Sequence, residues 1–129
     1  MILDQQLLDE LSARALENPR LRQNFDLRTS PADGSQRMLN ALGMGTVVPV
    51  HRHRGTAETV VVLRGRVREL FYDDDGNVTE SVTLEAGGEN VGLQIPAGQW
   101  HTIEALEPGS VILEAKDGAF ELLKPEDVR

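Results

Sequence analysis

The sequence predicts an all-β fold: a single-domain β-sandwich or barrel with a short N-terminal helix. Three observations carry this. From Gln36 onward, short runs rich in Val, Leu and Ile alternate with turn residues at nearly regular spacing, as in stacked antiparallel strands. No ten-residue helical pattern separates those runs, which argues against a parallel sheet with crossover helices. The chain has 129 residues, of which 40% are apolar, a fit to one domain with its own core. With one Trp, one Tyr and three Phe, that core must rest mainly on Val, Leu, Ile and Ala.

Residues 4–16 read as an amphipathic helix. Leu7, Leu8, Leu11 and Ala15 fall on one face, and Asp4 is placed to cap the start. Asn18-Pro19 ends it, because a residue before proline avoids the helical region. Residues 20–34 look irregular, with a turn cluster at Ser30-Pro-Ala-Asp-Gly34. Strands are expected near 36–42, 46–53, 58–64, 66–72, 78–84, 91–95, 99–105 and 110–116. Turns such as Asp73-Asp-Asp-Gly-Asn77, Ala86-Gly-Gly88 and Glu107-Pro-Gly109 separate them. The organisation read from this is a helix and irregular leader over 1–35 packed on a barrel over 36–117, then a tail over 118–129 with a short turn at 124–127. Strand 36–42 is expected at an exposed edge that needs cover, which predicts a homodimer.

Charge and composition narrow the partners. A formal charge of −8 repels phosphate backbones, so nucleic acid is not an expected partner. The absence of cysteine removes disulfides, thiolate ligands, iron–sulfur clusters and cysteine nucleophiles, and is compatible with the cytoplasm, the expected location. Met1-Ile-Leu-Asp4 turns polar at once, unlike a signal peptide, and runs such as 60–63 are too short to span a bilayer, so no membrane partner is expected.

The chemistry lies in the histidines. The chain has three, and all fall where one metal pattern wants them. His51 and His53 are two apart on an expected strand, so alternation puts both on one face and Arg52 on the other. Glu58 follows a short turn and opens the next strand, within reach of the pair. His101 comes just after the turn Pro96-Ala-Gly98. Three neutral nitrogens and a carboxylate suit one divalent transition metal: Fe, Mn, Ni, Co or Zn. A six-coordinate ion held by His51, His53, Glu58 and His101 keeps two open positions, as a catalytic site does.

Arg52, Arg54, Arg64, Arg66 and Arg68 crowd one stretch of an acidic chain. Arg52 and Arg54 oppose the histidine face and read as solvated. Arg64 shares parity with Glu58, Val60 and Val62, and is expected to reach the interior as a substrate contact. Arg37 (or its neighbour Gln36), Gln94, Glu114 and Lys116 are further candidates for contacting a small-molecule ligand. A calcium loop starting at Asp73 would need Gly at its sixth place and Glu at its twelfth, where Val78 and Leu84 stand. Trp100 should point away from His101. No Ser-His-Asp triad is available, since every histidine is committed.

The spacing Gly45, His51, His53, Glu58, Gly65 resembles the first motif of the cupin superfamily at every position. Pro96, Gly98 and His101 are similar to the second motif, with Asn90 in place of its leading Gly and Ala105 in place of its final Asn. Those departures touch turn geometry and the surroundings of the ligands, not ligation. Across nearly the full length the chain also resembles the WbuC-type cupin fold metalloproteins, through Leu3-Asp-Gln-Gln-Leu-Leu8, Arg20-Leu-Arg-Gln-Asn24, Gln36-Arg-Met-Leu-Asn-Ala-Leu42, Val50-His-Arg-His53, Arg64-Gly-Arg66, Ile95-Pro-Ala-Gly98, Trp100-His101 and Leu106-Glu-Pro-Gly109. The resemblance implies a cupin double-stranded β-helix, or jelly roll, with one bound metal. It also implies a place among bacterial O-antigen and surface polysaccharide genes. The leading expectation is thus a metal-dependent enzyme, an isomerase, epimerase or hydrolase, acting on a sugar or sugar-derived metabolite, with Glu58 as catalytic base if it detaches from the metal. An Fe(II)-dependent dioxygenase and a non-catalytic metal- and ligand-binding module remain the alternatives.

Overall fold

Helix α1, Gln5–Glu17, forms where the apolar spacing places it, in a computed structural model that describes residues 1–129. The Asp4 carboxylate accepts a hydrogen bond from the Leu7 N–H at 2.9 Å and caps the start. Extended backbone at Asn18, just before Pro19, ends it. Eight strands follow: β1 (Arg22–Asp26), β2 (Ser35–Leu42), β3 (Glu58–Arg64), β4 (Arg66–Tyr72), β5 (Val78–Glu85), β6 (Gly92–Ile95), β7 (Trp100–Ala105) and β8 (Ser110–Asp117). A 3₁₀ turn at Pro125–Asp127 sits in the tail.

The strands form two antiparallel sheets, one ordered β1-β2-β8-β3-β6 and the other β5-β4-β7. This is the jelly-roll architecture. Alternation sorts the side chains of each strand. Leu42, Val60, Val62, Val67, Phe71 and Ile112 belong to the core between the sheets. On the outer face of the larger sheet, Leu39, Ala41 and Val111 pack with Leu8, Leu11 and Ala15 of α1 in a second core. The helix is thus held by burial, about 1.5–3 kcal/mol for each fully buried leucine.

Gly65, in the turn between β3 and β4, has φ +82°, and a Cβ there would run into Ser110 of β8. Both facts demand glycine at this motif position.

Three expectations fail. Residues 46–53 do not form a strand; only His51 makes an isolated bridge. Pro49 has no N–H to give a ladder, and the segment joins β2 to β3 of the same sheet, meeting the other sheet only at the bridge of His51 to His101. The leader is not irregular throughout, because Arg22–Asp26 pairs with β2 as strand β1 despite its polar sequence. That pairing removes the exposed edge expected at 36–42: β2 lies between β1 and β8, and the edges of its sheet are β1 and β6.

Candidate metal centre

The His-x-His segment gains its shape from backbone pairing on all sides. The His51 N–H donates to the His101 carbonyl at 3.0 Å, and the His101 N–H returns the bond at 2.9 Å. This directly opposed pair sets the two side chains on the same side. The Arg52 N–H donates to the Asp127 carbonyl at 3.0 Å, and the Arg129 N–H to the Val50 carbonyl at 2.8 Å. The Gly98 N–H donates to the His53 carbonyl at 2.8 Å, tying the two histidine stretches together. The C-terminal residues therefore back the site, with Val128 bridged to His51.

On the far face of that segment, Arg52 and Arg54 both donate to the Asp127 carboxylate, at 2.9 and 2.6 Å. Trp100, next to His101 on β7 and so on its opposite face, is buried with the guanidinium groups of Arg52 and Arg129 over its ring, 4.5 and 4.0 Å from the centroid. Arg129 also donates to the carbonyls of Asp73 and Asp74, which fixes the tail to the β4–β5 hairpin.

The three imidazoles converge. Their ligand nitrogens lie within 4.8 Å of one another, and the His51 and His101 ring centres are 4.3 Å apart. The three histidines can therefore hold a metal ion. His51 Nδ1 is 2.8 Å from the Pro49 carbonyl and His101 Nδ1 is 3.0 Å from the Gln99 carbonyl, contacts that place the proton on Nδ1 and leave Nε2 free as a donor atom. Burial, then the neighbouring His101, holds His51 below the ordinary imidazole value. Burial and the Lys116 charge bring His53 down to about 4. Both rings are thus neutral, the form that ligates.

Glu58, only 5% exposed, opens β3 and faces this group. Its Oε2 is 3.5 Å from His101 Nε2 and 3.7 Å from His53 Nε2, and it accepts no hydrogen bond. Burial opposes its ionisation, but contacts with His101 and Glu114 and the charge of Lys116 outweigh that and hold the carboxyl well below its ordinary value. A buried, ionised, unsatisfied oxygen beside neutral imidazoles is a donor set that lacks a cation. On that observation the residues fit a divalent transition metal.

The site is the floor of a cavity of about 320 Å³ between the sheets. A wider hollow of about 680 Å³, walled by the tail, adjoins it and shares Gln36, His53, Lys116, Phe120 and Leu123 with it. Lys116 pairs with Glu58 in the β3–β8 register, and its Nζ stands 3.3 Å from His53 Nε2. Glu114, half-buried two residues earlier, also lines the cavity.

The other expected contacts lie elsewhere. Arg64 points outward to α1, with ion pairing to Asp9 at 2.8 Å and a bond from its Nε to the Gln5 side chain at 3.2 Å. A bulge between Val62 and Arg64 breaks the alternation that would have carried it inside. Arg37 faces away and pairs with Asp33 at 3.3 Å, while its neighbour Gln36 is the one at the cavity. Gln94 is exposed on β6 and does not line the cavity.

One buried acid escaped the sequence reading. Glu69 of β4 is 1% exposed and lines the cavity with one oxygen unbonded. Burial, reinforced by the charges of Glu58 and Glu114, pushes it up to about 9, so it holds its proton at neutral pH. Burial and Glu58 likewise raise Glu114. The signal for Glu69 was its parity: it sits between Val67 and Phe71 on the apolar side of an alternating strand.

Comparison with solved structures agrees with the fold. KdgF from Halomonas sp. superposes with a TM-score of 0.63 at 18% identity, covering 78% of this chain and 82% of that one. Oxalate decarboxylase from Bacillus subtilis superposes with a TM-score of 0.60 at 24% identity, over 78% of this chain; the match spans only 26% of that longer chain. Another structure of the decarboxylase, a protein with Mn(II) centres, gives 0.60 at 21% identity, over 83% of this chain and 27% of that one. The likeness is one of fold, and the fold shared is the jelly roll. No helix is long and apolar enough to cross a membrane. No curated protein matches the chain. A family model does match, over residues 3–84, and the chain belongs to that family, DUF6016, described as a domain of unknown function.

Proposed function

We propose that this cupin is a metal-dependent isomerase or epimerase acting on a sugar or sugar-derived metabolite, with His51, His53, His101 and Glu58 holding one divalent transition metal. The observation that carries the reading is the convergence of three imidazoles and an ionised carboxylate on the floor of a cavity that also holds protonated acids. The bound metal would supply polarisation of a ligand oxygen. The carbonyls of Pro49 and Gln99 orient two of the imidazoles. Glu69 carries a proton at its carboxyl and is placed to donate it into the cavity. Glu58, ionised, is the group able to accept one when free of the metal. Two carboxyls whose surroundings push their proton affinities apart make an acid and a base in one small space. Likeness to WbuC-type proteins supports a role in bacterial surface polysaccharide, O-antigen included.

The test is exchange in deuterated water. Metal-loaded protein is incubated with a panel of sugar phosphates and nucleotide sugars and followed by proton NMR. Deuterium should enter one substrate at the carbon beside its carbonyl, and His101→Ala should abolish this. No exchange and no new product with any member, at one metal per chain, refutes the reading.

A further inference from the structure

The five arginines that crowd one stretch of sequence are all neutralised. Arg52 and Arg54 share Asp127, while Arg64, Arg66 and Arg68 meet Asp9, Glu107 and Glu104 at 2.8, 3.6 and 2.7 Å. Arg20 and Arg22 are different. Both line the metal cavity, on the side of β1, and neither pairs with a carboxylate. Arg22 spends one nitrogen on the Val47 carbonyl at 2.8 Å, and its remaining donors are unspent. Its half-burial and the charge of Arg20 both disfavour its cation, so two like charges stand together with nothing to offset them.

The backbone between them is strained and pinned. Leu21 has φ +55°, a left-handed conformation that costs a branched side chain energy. Four hydrogen bonds enforce it. Asn18 accepts from the Arg20 N–H through its side chain at 2.9 Å and from the Leu21 N–H through its carbonyl at 2.8 Å. Thr46 Oγ1 donates to the Arg20 carbonyl at 2.6 Å, and the Gly43 N–H donates to the Leu21 carbonyl at 2.8 Å. A strained turn held this firmly fixes where both guanidinium groups emerge.

We propose that Arg20 and Arg22 form an anion clamp at the cavity wall, which grips the carboxylate or phosphate of a small polyhydroxylated ligand whose other end reaches the three histidines. This rests on reading the cavity as a ligand site. Guanidinium groups suit both anions because each offers paired N–H donors in a plane. A volume of about 320 Å³ holds roughly one monosaccharide unit. Asn40 and the protonated Glu69, on the same walls, would meet its hydroxyls.

The experiment is calorimetric titration of Ni(II)-loaded protein with glucose 6-phosphate, glucuronate and uncharged glucose, with metal content measured in parallel. Wild type should bind one of the two anions clearly more tightly than glucose, and which one separates phosphate from carboxylate. Arg20→Gln and Arg22→Gln should each weaken that binding about tenfold or more while metal uptake stays unchanged. Arg20 is exposed and has no side-chain partner, so its variant keeps the test open if Arg22→Gln misfolds. Equal binding by both variants and wild type, or no preference of wild type for either anion over glucose, overturns the clamp. A chain that takes no metal yet binds the anion through these arginines upholds the clamp and refutes the metal reading. A chain that loads metal but ignores both anions does the reverse.

Discussion

Lys116 stands where a cation would be least welcome. Its ammonium lies 3.3 Å from His53 Nε2, the atom that must turn to a metal. A first-row dication bound there would take the place that the ammonium now faces, and an ammonium pushed back to about 5 Å from the ion would still oppose it. Charges of +1 and +2 at that separation repel by roughly 1.7 kcal/mol even at the dielectric of water, and by more in a partly buried cavity. Lys116→Met keeps most of the side-chain volume and removes the charge. The expected result is metal affinity raised by about tenfold or more, since 1.4 kcal/mol is a factor of ten. Competition against a fluorescent chelator at fixed pH and salt reads this directly. Lys124→Met, an exposed change in the tail, is the control and should leave affinity unaltered. Unchanged or weaker binding in Lys116→Met would refute the reasoning, because it would mean the ion does not enter beside His53.

Glu58→Gln should lower metal affinity yet leave a folded chain, and His101→Ala should abolish stoichiometric uptake; elemental analysis after gel filtration measures both. Glu69 keeps its proton when folded up to about pH 9 but loses it near 4.5 when unfolded, so its contribution to stability is complete below 4.5 and disappears as pH rises through 9. Thermal melts of metal-free protein should therefore decline over that window, and Glu69→Gln should flatten the decline; an equally steep profile in the variant counts against a neutral buried acid. Leu11→Ala, at a position 2% exposed between α1 and the sheet, should cost about 2–5 kcal/mol in urea unfolding. Gly65→Ala should lower the melting temperature sharply, because it meets both a positive φ and Ser110.

Much of this molecule is a local property of its chain. The apolar spacing of residues 7–15 decides the helix, alternation decides seven of the eight strands, and the placement of three histidines and Glu58 around two turns marks the centre. Period-two alternation sets which residues share a face. It does not say which face is inside, nor where a bulge will reverse it. Arg64 went outward for that reason, and Glu69 came inward unnoticed in a strand whose pattern already held the clue. Polar segments gave still less warning. β1 exists because its backbone pairs with β2, and Arg20 and Arg22 reach the cavity only through that pairing and the left-handed Leu21. Residues 46–53 looked like a strand, yet their histidines are held by His101, Gly98 and the last three residues of the chain. Contacts between residues 75 positions apart depend on how two sheets and a tail pack in space, and no local pattern encodes them.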